Sequence, residues 1–259
     1  MDYQAITYEL TDGIAIIALN RPDVMNAFTA QMRAEITHAM IEAGREARVV
    51  VLTGAGRAFC SGQDLGDGVG NATNLDLERA LRDEYTPMLR AIRDCPVPVI
   101  AAVNGAAAGA GANLALAADV VIASERAYFM QAFSKIGLIP DAGGTYALPR
   151  LVGQARAMGA SLFAEKISAK QAESWGMIWE AVADEAFEET WRGRAKTLAE
   201  GPTQAYAHIK AAIQASPEND FEEQLSLEAK LQGKCGKTRD FQEGVVAFLE
   251  KRPAHYEGR

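Results

Sequence analysis

Between Pro140 and the Gly143–Gly144 pair the sequence places one carboxylate, Asp141, in the stretch KIGLIPDAGGTYALPR (135–150). Two kinds of chemistry suit such an aspartate. Pro-Asp before small residues is common turn chemistry, and Asp there can cap the helix that GGTYALPRL would begin. A carboxylate in an apolar setting instead has a raised pKa and can take and return a proton. The stretch alone leaves both open.

The small-residue segment Asn104–Ala118 offers a complement to a proton-moving group. Gly109 and Gly111 flank Ala110 near a predicted helix start. Exposed amides there, with the positive end of the helix dipole, can hold a developing negative charge. Removing one well-placed donor of this kind typically costs about 2.7–4 kcal/mol of transition-state stabilisation. A second amide would come from the Gly-rich loop GAGRAFCSGQDL (54–65). Close packing of a small-residue helix on a sheet explains the same composition equally well.

Other chemistries fit poorly. Gly54 and Gly56 give GxG, but Phe59 stands at the third position of the dinucleotide fingerprint, and no GxxxxGK[ST] loop is present. Cys60, Cys95 and Cys235 are odd in number and far apart, which predicts reduced thiols and no metal site. His38, His208 and His255 are scattered, so a Ser-His-Asp triad is hard to assemble. The formal charge of −8 disfavours non-specific nucleic-acid binding. No apolar run approaches the roughly 18 residues of a membrane span, and MDYQAITYEL has no basic leader or signal core. These features predict a cytoplasmic protein with no metal and no bound prosthetic group.

The elements that must position these groups alternate strand and helix. AITYEL, a TDG turn and IAIIALN predict a hairpin. Thr29 caps a predicted helix in which Met32, Ile36, Met40 and Ala43 recur. RVVVLTG is a predicted buried strand, followed by a helical segment around Leu75–Arg93. VPVIAAVNG then reads as strand, AAAGAGANLALAAD as helix, VVIAS as strand and KIGLIP as strand-like. The pattern is that of a mixed α/β core. After about residue 190 the strand signals stop and four helical segments follow. The expected division is therefore a core over 1–190 and a helical subdomain over 191–259, packed on the core or on a neighbouring subunit.

Five blocks, LNRPDVMNAF (19–28), LTGAGRAFCSGQDL (52–65), PVIAAVNGAAAGAGANLALAADVVIAS (98–124), KIGLIPDAGGTYALPRLVG (135–153) and ISAKQAESWGM (167–177), together resemble the crotonase, or enoyl-CoA hydratase/isomerase, family in order and spacing. The resemblance implies an α/β spiral of ββα units with a helical C-terminal trimerisation region, as a homotrimer or dimer of trimers. It implies an acyl-CoA substrate, with coenzyme A present only as part of it. The thioester enolate would be held by the main-chain amides of Gln63 and Ala110. Carried over by position, Val24, Ala27, Ala58, Cys60, Gln63, Asp64 and Leu65 would lie along the CoA. Lys251 would reach the phosphates of a neighbouring subunit's CoA, a surface salt bridge being an equally good account, with Arg21 and Phe248 as further candidates. Asp64 is expected to organise the CoA loop, Asp119 to serve structure, and Cys60 to be no nucleophile.

The departures from the family pattern are informative. Hydratases of the family use two glutamates, and those positions read Asn113 and Phe133 here. Asn113 shares a helix face with Ala110 and is expected to face the site and help position the substrate. Phe133 and Ile139 are expected in the acyl pocket, and Leu138 with them would give Asp141 its apolar setting. Isomerases of the family place a proton-shuttling carboxylate close to Asp141. AFSKIGLIPDAGGTYALPR, ARAMG and ESWGMIW look most like the branch that rearranges the ring epoxide of phenylacetyl-CoA. Alternatives are a 3,2-enoyl-CoA isomerase of linear chains, a hydratase, or an RNA-binding homologue. The last needs a lysine-rich helix face. TAQMRAEITHAMIEAGREAR instead alternates Arg33, Arg45 and Arg48 with Glu35, Glu42 and Glu46, which reads as a solvated mixed face. Residues 66–90 are expected to supply one wall of the acyl pocket.

Overall fold

Asp12 and Gly13 both take left-handed backbone (φ 52° and 77°). A two-residue turn of this kind matches the twist of a β-hairpin. It joins β1 (Ile6–Thr11) to β2 (Ile14–Leu19) antiparallel, with Thr11 opposite Ile14. The computed structural model describes residues 2–66 and 76–259. After the hairpin, Thr29 caps α1 (Ala30–Glu46), its Oγ1 accepting the Met32 amide at 3.2 Å.

The chain then repeats one unit: a strand in a first sheet, a short strand in a second, and a helical return. β3 (Val49–Gly54) and β4 (Ala58–Cys60) precede the helical stretch made of α2 (Leu77–Ala80), a π turn (Leu81–Tyr85) and α3 (Thr86–Arg93). β5 (Val99–Val103) and β6 (Ala106–Ala108) precede α4 (Ala110–Leu116). β7 (Val120–Ser124) and β8 (Tyr128–Met130) lead through a 3-10 turn (Ala132–Ile136) to α5 (Gly144–Val152). There follow α6 (Gln154–Phe163), β9 (Ile167–Ser168), α7 (Ala169–Ser174) and β10 (Glu180–Val182). The first sheet runs β1-β2-β3-β5-β7-β10, parallel from β2 onward, and the second runs β4-β6-β8-β9. The repeat is the spiral of ββα units expected from the resemblance.

Interior parallel strands are covered on both faces and so read as continuous apolar runs. In β3, Val50 and Leu52 face the main core while Val49 and Val51 face α8 (Phe187–Ala199), against its Phe187, Trp191 and Ala195. The division drawn at 190/191 thus falls inside α8, a helix that belongs to the core. Beyond it come α9 (Thr203–Ala215), α10 (Phe221–Cys235) and α11 (Arg239–Glu250), matching the helical segments read from the sequence.

Two expectations need correction. Ala106–Ala108 is strand, and the helix begins only at Ala110. Alanine tolerates either state, and pairing with β4 and β8 decides. KIGLIP forms no strand: Lys135 and Ile136 end a 3-10 turn that stops at Gly137 in left-handed backbone (φ 76°). The small residues of α4 also have a packing role. A Cβ on Gly111 would lie 2.7 Å from the Cys60 carbonyl carbon, closer than any real contact. Among the described residues, no helix is long and apolar enough to cross a membrane.

Candidate active site

The path from Gly137 brings Asp141 to a sharp turn in which Ala142 and Gly143 are both left-handed (φ 48° and 81°). For an alanine this backbone costs roughly 1–2 kcal/mol. Asp141 does not cap α5. Its main-chain carbonyl accepts the Gly144 amide at 2.8 Å, and the helix has no side-chain cap. Oδ1 of the carboxylate is out of solvent and has no hydrogen-bond partner. Burial raises its pKa from 3.8 to about 6. A buried polar atom left unpartnered is uncommon and calls for a role. Phe133 is buried with its ring near Gly109 at the start of α4, whereas Ile139 is 77% exposed, so Ile139 does not provide the burial expected of it.

Asn113 projects from α4 toward the same turn. Its Nδ2 donates to the Asp141 carbonyl at 2.7 Å and to Gln131 Oε1 at 3.2 Å, while Gln131 Nε2 donates back to Asn113 Oδ1 at 2.8 Å. Both amides are 2% exposed. Both Nδ2 hydrogens of Asn113 and one acceptor site of its Oδ1 are directed at protein, and through them Asn113 holds the Asp141 turn. Gln131, which the sequence reading missed, sits just after β8 and carried no motif of its own. Gly144 is required for the arrangement: a Cβ there would lie 2.8 Å from Asn113 Cγ.

The two proposed amides meet at the Gly62 loop. A Cβ on Gly62 would lie 3.5 Å from the Ala110 nitrogen, so the loop abuts the start of α4. Gln63 forms a parallel bridge with Phe28, in which Phe28 N donates to Gly62 O (2.8 Å) and Asp64 N to Phe28 O (3.0 Å). In such a ladder the intervening Gln63 N–H points the other way. Among the described residues, neither the Gln63 nor the Ala110 amide donates to another group of the chain.

The Gln63 side chain is itself tethered. Oε1 accepts Tyr85 Oη and Arg33 Nη1, each at 2.7 Å, and Nε2 donates to Asp64 O at 3.3 Å. Arg33 is 5% exposed and paired with Glu84 through Nε (3.1 Å) and Nη2. Burial pushes the Tyr85 hydroxyl pKa up, against the effect of the adjacent Arg33; it also feels the Asp141 charge. The mixed face of α1 is therefore not wholly solvated. Arg33 is buried, and Glu35 is buried too, accepting the Gln4 and Ala5 amides at 2.8 Å. Arg48 binds Thr203, the Gly201 carbonyl and the Tyr256 carbonyl. Of the three arginines only Arg45, with Glu42, is the exposed pair expected.

Around the mouth, Val24 and Leu65 are exposed, and Ala27 is nearly buried. Arg21 Nη1 joins Asp64 Oδ2 at 2.9 Å and the Ala27 carbonyl at 2.7 Å, tying two loops together. Ala58 and Cys60, expected along the CoA, are buried beneath the loop. Burial pushes the Cys60 thiol to about 12. Asp119 accepts the Val99 amide and Lys210 Nζ, each at 2.8 Å, a structural tie between core and α9. Lys251 ends α11 in left-handed backbone (φ 54°), exposed like Phe248. The wall expected from residues 66–90 lies partly, at 67–75, outside the described residues. Among the described residues, no cluster could hold a metal ion.

A spiral of ββα units carrying these loops is the architecture of the crotonase class. The sequence model "Enoyl-CoA hydratase/isomerase" matches residues 9–259, and the chain belongs to that family. It is 62% identical over 259 residues, all of both chains, to a Rhodobacter capsulatus protein named "Probable enoyl-CoA hydratase". It is 45% identical over 251 residues to the 1,2-epoxyphenylacetyl-CoA isomerase of Escherichia coli, covering 95% of this chain and 96% of that one. The crystal structure of an enoyl-CoA hydratase from Polaromonas sp. JS666 superposes with a TM-score of 0.92 at 32% identity, covering 98% of this chain and 100% of that one.

Proposed function

We propose that this family member is an acyl-CoA isomerase that converts 2-(1,2-epoxy-1,2-dihydrophenyl)acetyl-CoA to oxepin-CoA. Asp141 removes the proton α to the thioester, and the C–H electron pair moves into the carbonyl, forming an enolate held by the Gln63 and Ala110 amides. The C–C bond shared by the epoxide and the six-membered ring breaks, leaving the oxygen inside a seven-membered ring, and the acid returns the proton at a ring carbon, so no water is consumed. The observation that carries this reading is the unpartnered Asp141 carboxylate at a site whose two hydratase-glutamate positions hold Asn113 and Phe133. A proton shuttle needs a base with a pKa near the working pH, and burial supplies it. The name of the R. capsulatus relative points to hydration, but an asparagine amide and a phenyl ring cannot act as its acid–base pair. The E. coli relative's name agrees with isomerisation.

The CoA would lie along Val24, Ala27, Asp64 and Leu65, with Lys251 reaching a neighbouring subunit's CoA. The exposed apolar residues of α9–α11, among them Ile213, Phe221, Phe241 and Phe248, suit assembly into a trimer or dimer of trimers in the cytoplasm. A second reading, a 3,2-enoyl-CoA isomerase of linear chains, uses the same Asp141 and oxyanion hole. Comparing kcat/KM for the aromatic epoxide and a linear cis-3-enoyl-CoA separates the two. Asp141→Asn should lose about 10²-fold or more in turnover with either substrate. Retention within about tenfold of wild type, or efficient hydration of crotonyl-CoA by the wild type, overturns the proposal.

A further inference from the structure

The Gln63 amide belongs to a loop tied to the body of the protein by main-chain and side-chain bonds, and one of these ties is unusual. A neutral carboxamide oxygen, Gln63 Oε1, receives two donors at 2.7 Å from separate elements: Arg33 of α1 and Tyr85 of the π turn. Both donors are 5% exposed. Glu84 and Tyr85, the last two residues of the π turn, both lie against Arg33. Glu84 binds the guanidinium from one side, and Tyr85 lies beneath it with its ring centroid 4.6 Å from Cζ. Single π turns inside helices recur at functional sites. Tyr85 is in turn braced edge-on by Phe28, their ring centroids 5.9 Å apart. Phe28 is the residue whose backbone bridges Gln63. Side chain and main chain of Gln63 are therefore fixed by one rigid cluster.

We propose that Arg33 and Tyr85 are positioning residues for catalysis, acting through the Gln63 side chain to aim the Gln63 amide at the thioester oxygen. This rests on the oxyanion-hole role of that amide. A glutamine in this loop is a side chain long enough to reach back across the loop to α1, so its identity matters even though the group offered to substrate is main chain. Preorganised donors stabilise an oxyanion because they need no reorganisation during the reaction. A misplacement of about 1 Å at such a group can cost about 10²-fold in rate. The guanidinium contributes here as a fixed donor to Gln63 Oε1, its charge being paired with Glu84. Its pairing with Glu84 keeps it buried without a bare charge.

The test separates aiming from folding. Gln63→Met removes the acceptor at nearly constant volume, and Tyr85→Phe removes one donor. Both variants and the double variant are first matched to wild type in thermal midpoint and far-UV circular dichroism. The ligand is acetoacetyl-CoA, whose enolate absorbs in the near ultraviolet and whose ionisation on the enzyme reports the oxyanion hole directly. Wild type is expected to bind it as the enolate. Gln63→Met should weaken enolate binding and lower kcat by about tenfold to 10²-fold, with KM changed less than about threefold. Tyr85→Phe should lower kcat less, and the double variant should be no worse than Gln63→Met, since both act on one contact. Folded single variants with kcat and enolate binding within twofold of wild type, or losses that multiply in the double variant, overturn the inference. If wild type forms no bound enolate, the oxyanion-hole reading itself fails and the inference falls with it.

Discussion

Asn113 Nδ2 donates a 2.7 Å hydrogen bond to the main-chain carbonyl of Asp141, while the carboxylate of the same aspartate keeps a buried, unpartnered oxygen. One residue thus holds the turn by its backbone and leaves the side chain uncommitted. Asn113 stands where hydratases of the family carry a glutamate. Here the position holds the Asp141 turn by its backbone and supplies no carboxylate.

Restoring that glutamate should therefore not restore hydration. Asn113→Glu would put a carboxylate at a site 2% exposed, where the Asn113 amide now donates to Gln131 Oε1 and the Asp141 carbonyl and Gln131 Nε2 donates back. A buried charge that faces two acceptors and one neutral donor is unfavourable. The expected outcome is a loss of about 2–4 kcal/mol in unfolding free energy and no gain in crotonyl-CoA hydration. Urea denaturation and a hydration assay check it. A stable variant with new hydratase activity would show that Asn113 is not the support described.

Gly144→Ala should act on the same contact from the other side. The added methyl would press on Asn113 and must displace it or α5. Overpacking of this kind typically costs about 1–3 kcal/mol. Because Asn113 holds the Asp141 turn, turnover by the folded fraction should also drop, by more than Gly159→Ala causes on α6, where nothing lies within 4 Å. Equal activities for the two variants would uncouple Gly144 from the site.

Cys60 should be inert. Its thiol is fully buried and its pKa is pushed to about 12, so almost no thiolate exists at neutral pH. Iodoacetamide on the folded protein should leave Cys60 unmodified while the less buried Cys235 reacts, as read by peptide mass spectrometry. Labelling of Cys60 at a rate matching Cys235 would contradict the packing.

Much of this was legible in sequence for local reasons. The Asp12–Gly13 turn, the Thr29 cap and the buried run of β3 each follow from a few adjacent residues. What was not legible depends on distant partners. Arg33 reads like any helical surface arginine until Glu84, 51 residues later, is folded against it by a π turn. Gln131 gains meaning only opposite Asn113. Ala106–Ala108 has no preference of its own and becomes strand because β4 and β8 flank it. The candidate site was read from its glycine blocks and carboxylate, whereas the contacts that support those residues are tertiary.

The titration of Asp141 gives two linked outcomes. Its pKa is about 6 in the folded protein, against roughly 3.9 in an unfolded chain. Between those values the native state binds a proton that the unfolded state does not. Stability is therefore lost as pH rises from about 4 through about 6, and the deficit persists above. The shift corresponds to at most about 3 kcal/mol, and partial solvent access reduces this to about 1–2 kcal/mol. Asp141→Asn carries no titrating group. The stability difference between variant and wild type should grow in the variant's favour across that window and change little on either side of it. Activity should move oppositely, since the base must be ionised: wild-type kcat/KM should rise with pH through about 6 and then level. Unfolding free energies and kcat/KM measured from about pH 4 to 8 check both. A stability difference that is flat in pH would place the Asp141 carboxylate in water, and with it the reason to treat this side chain as a tuned base would disappear.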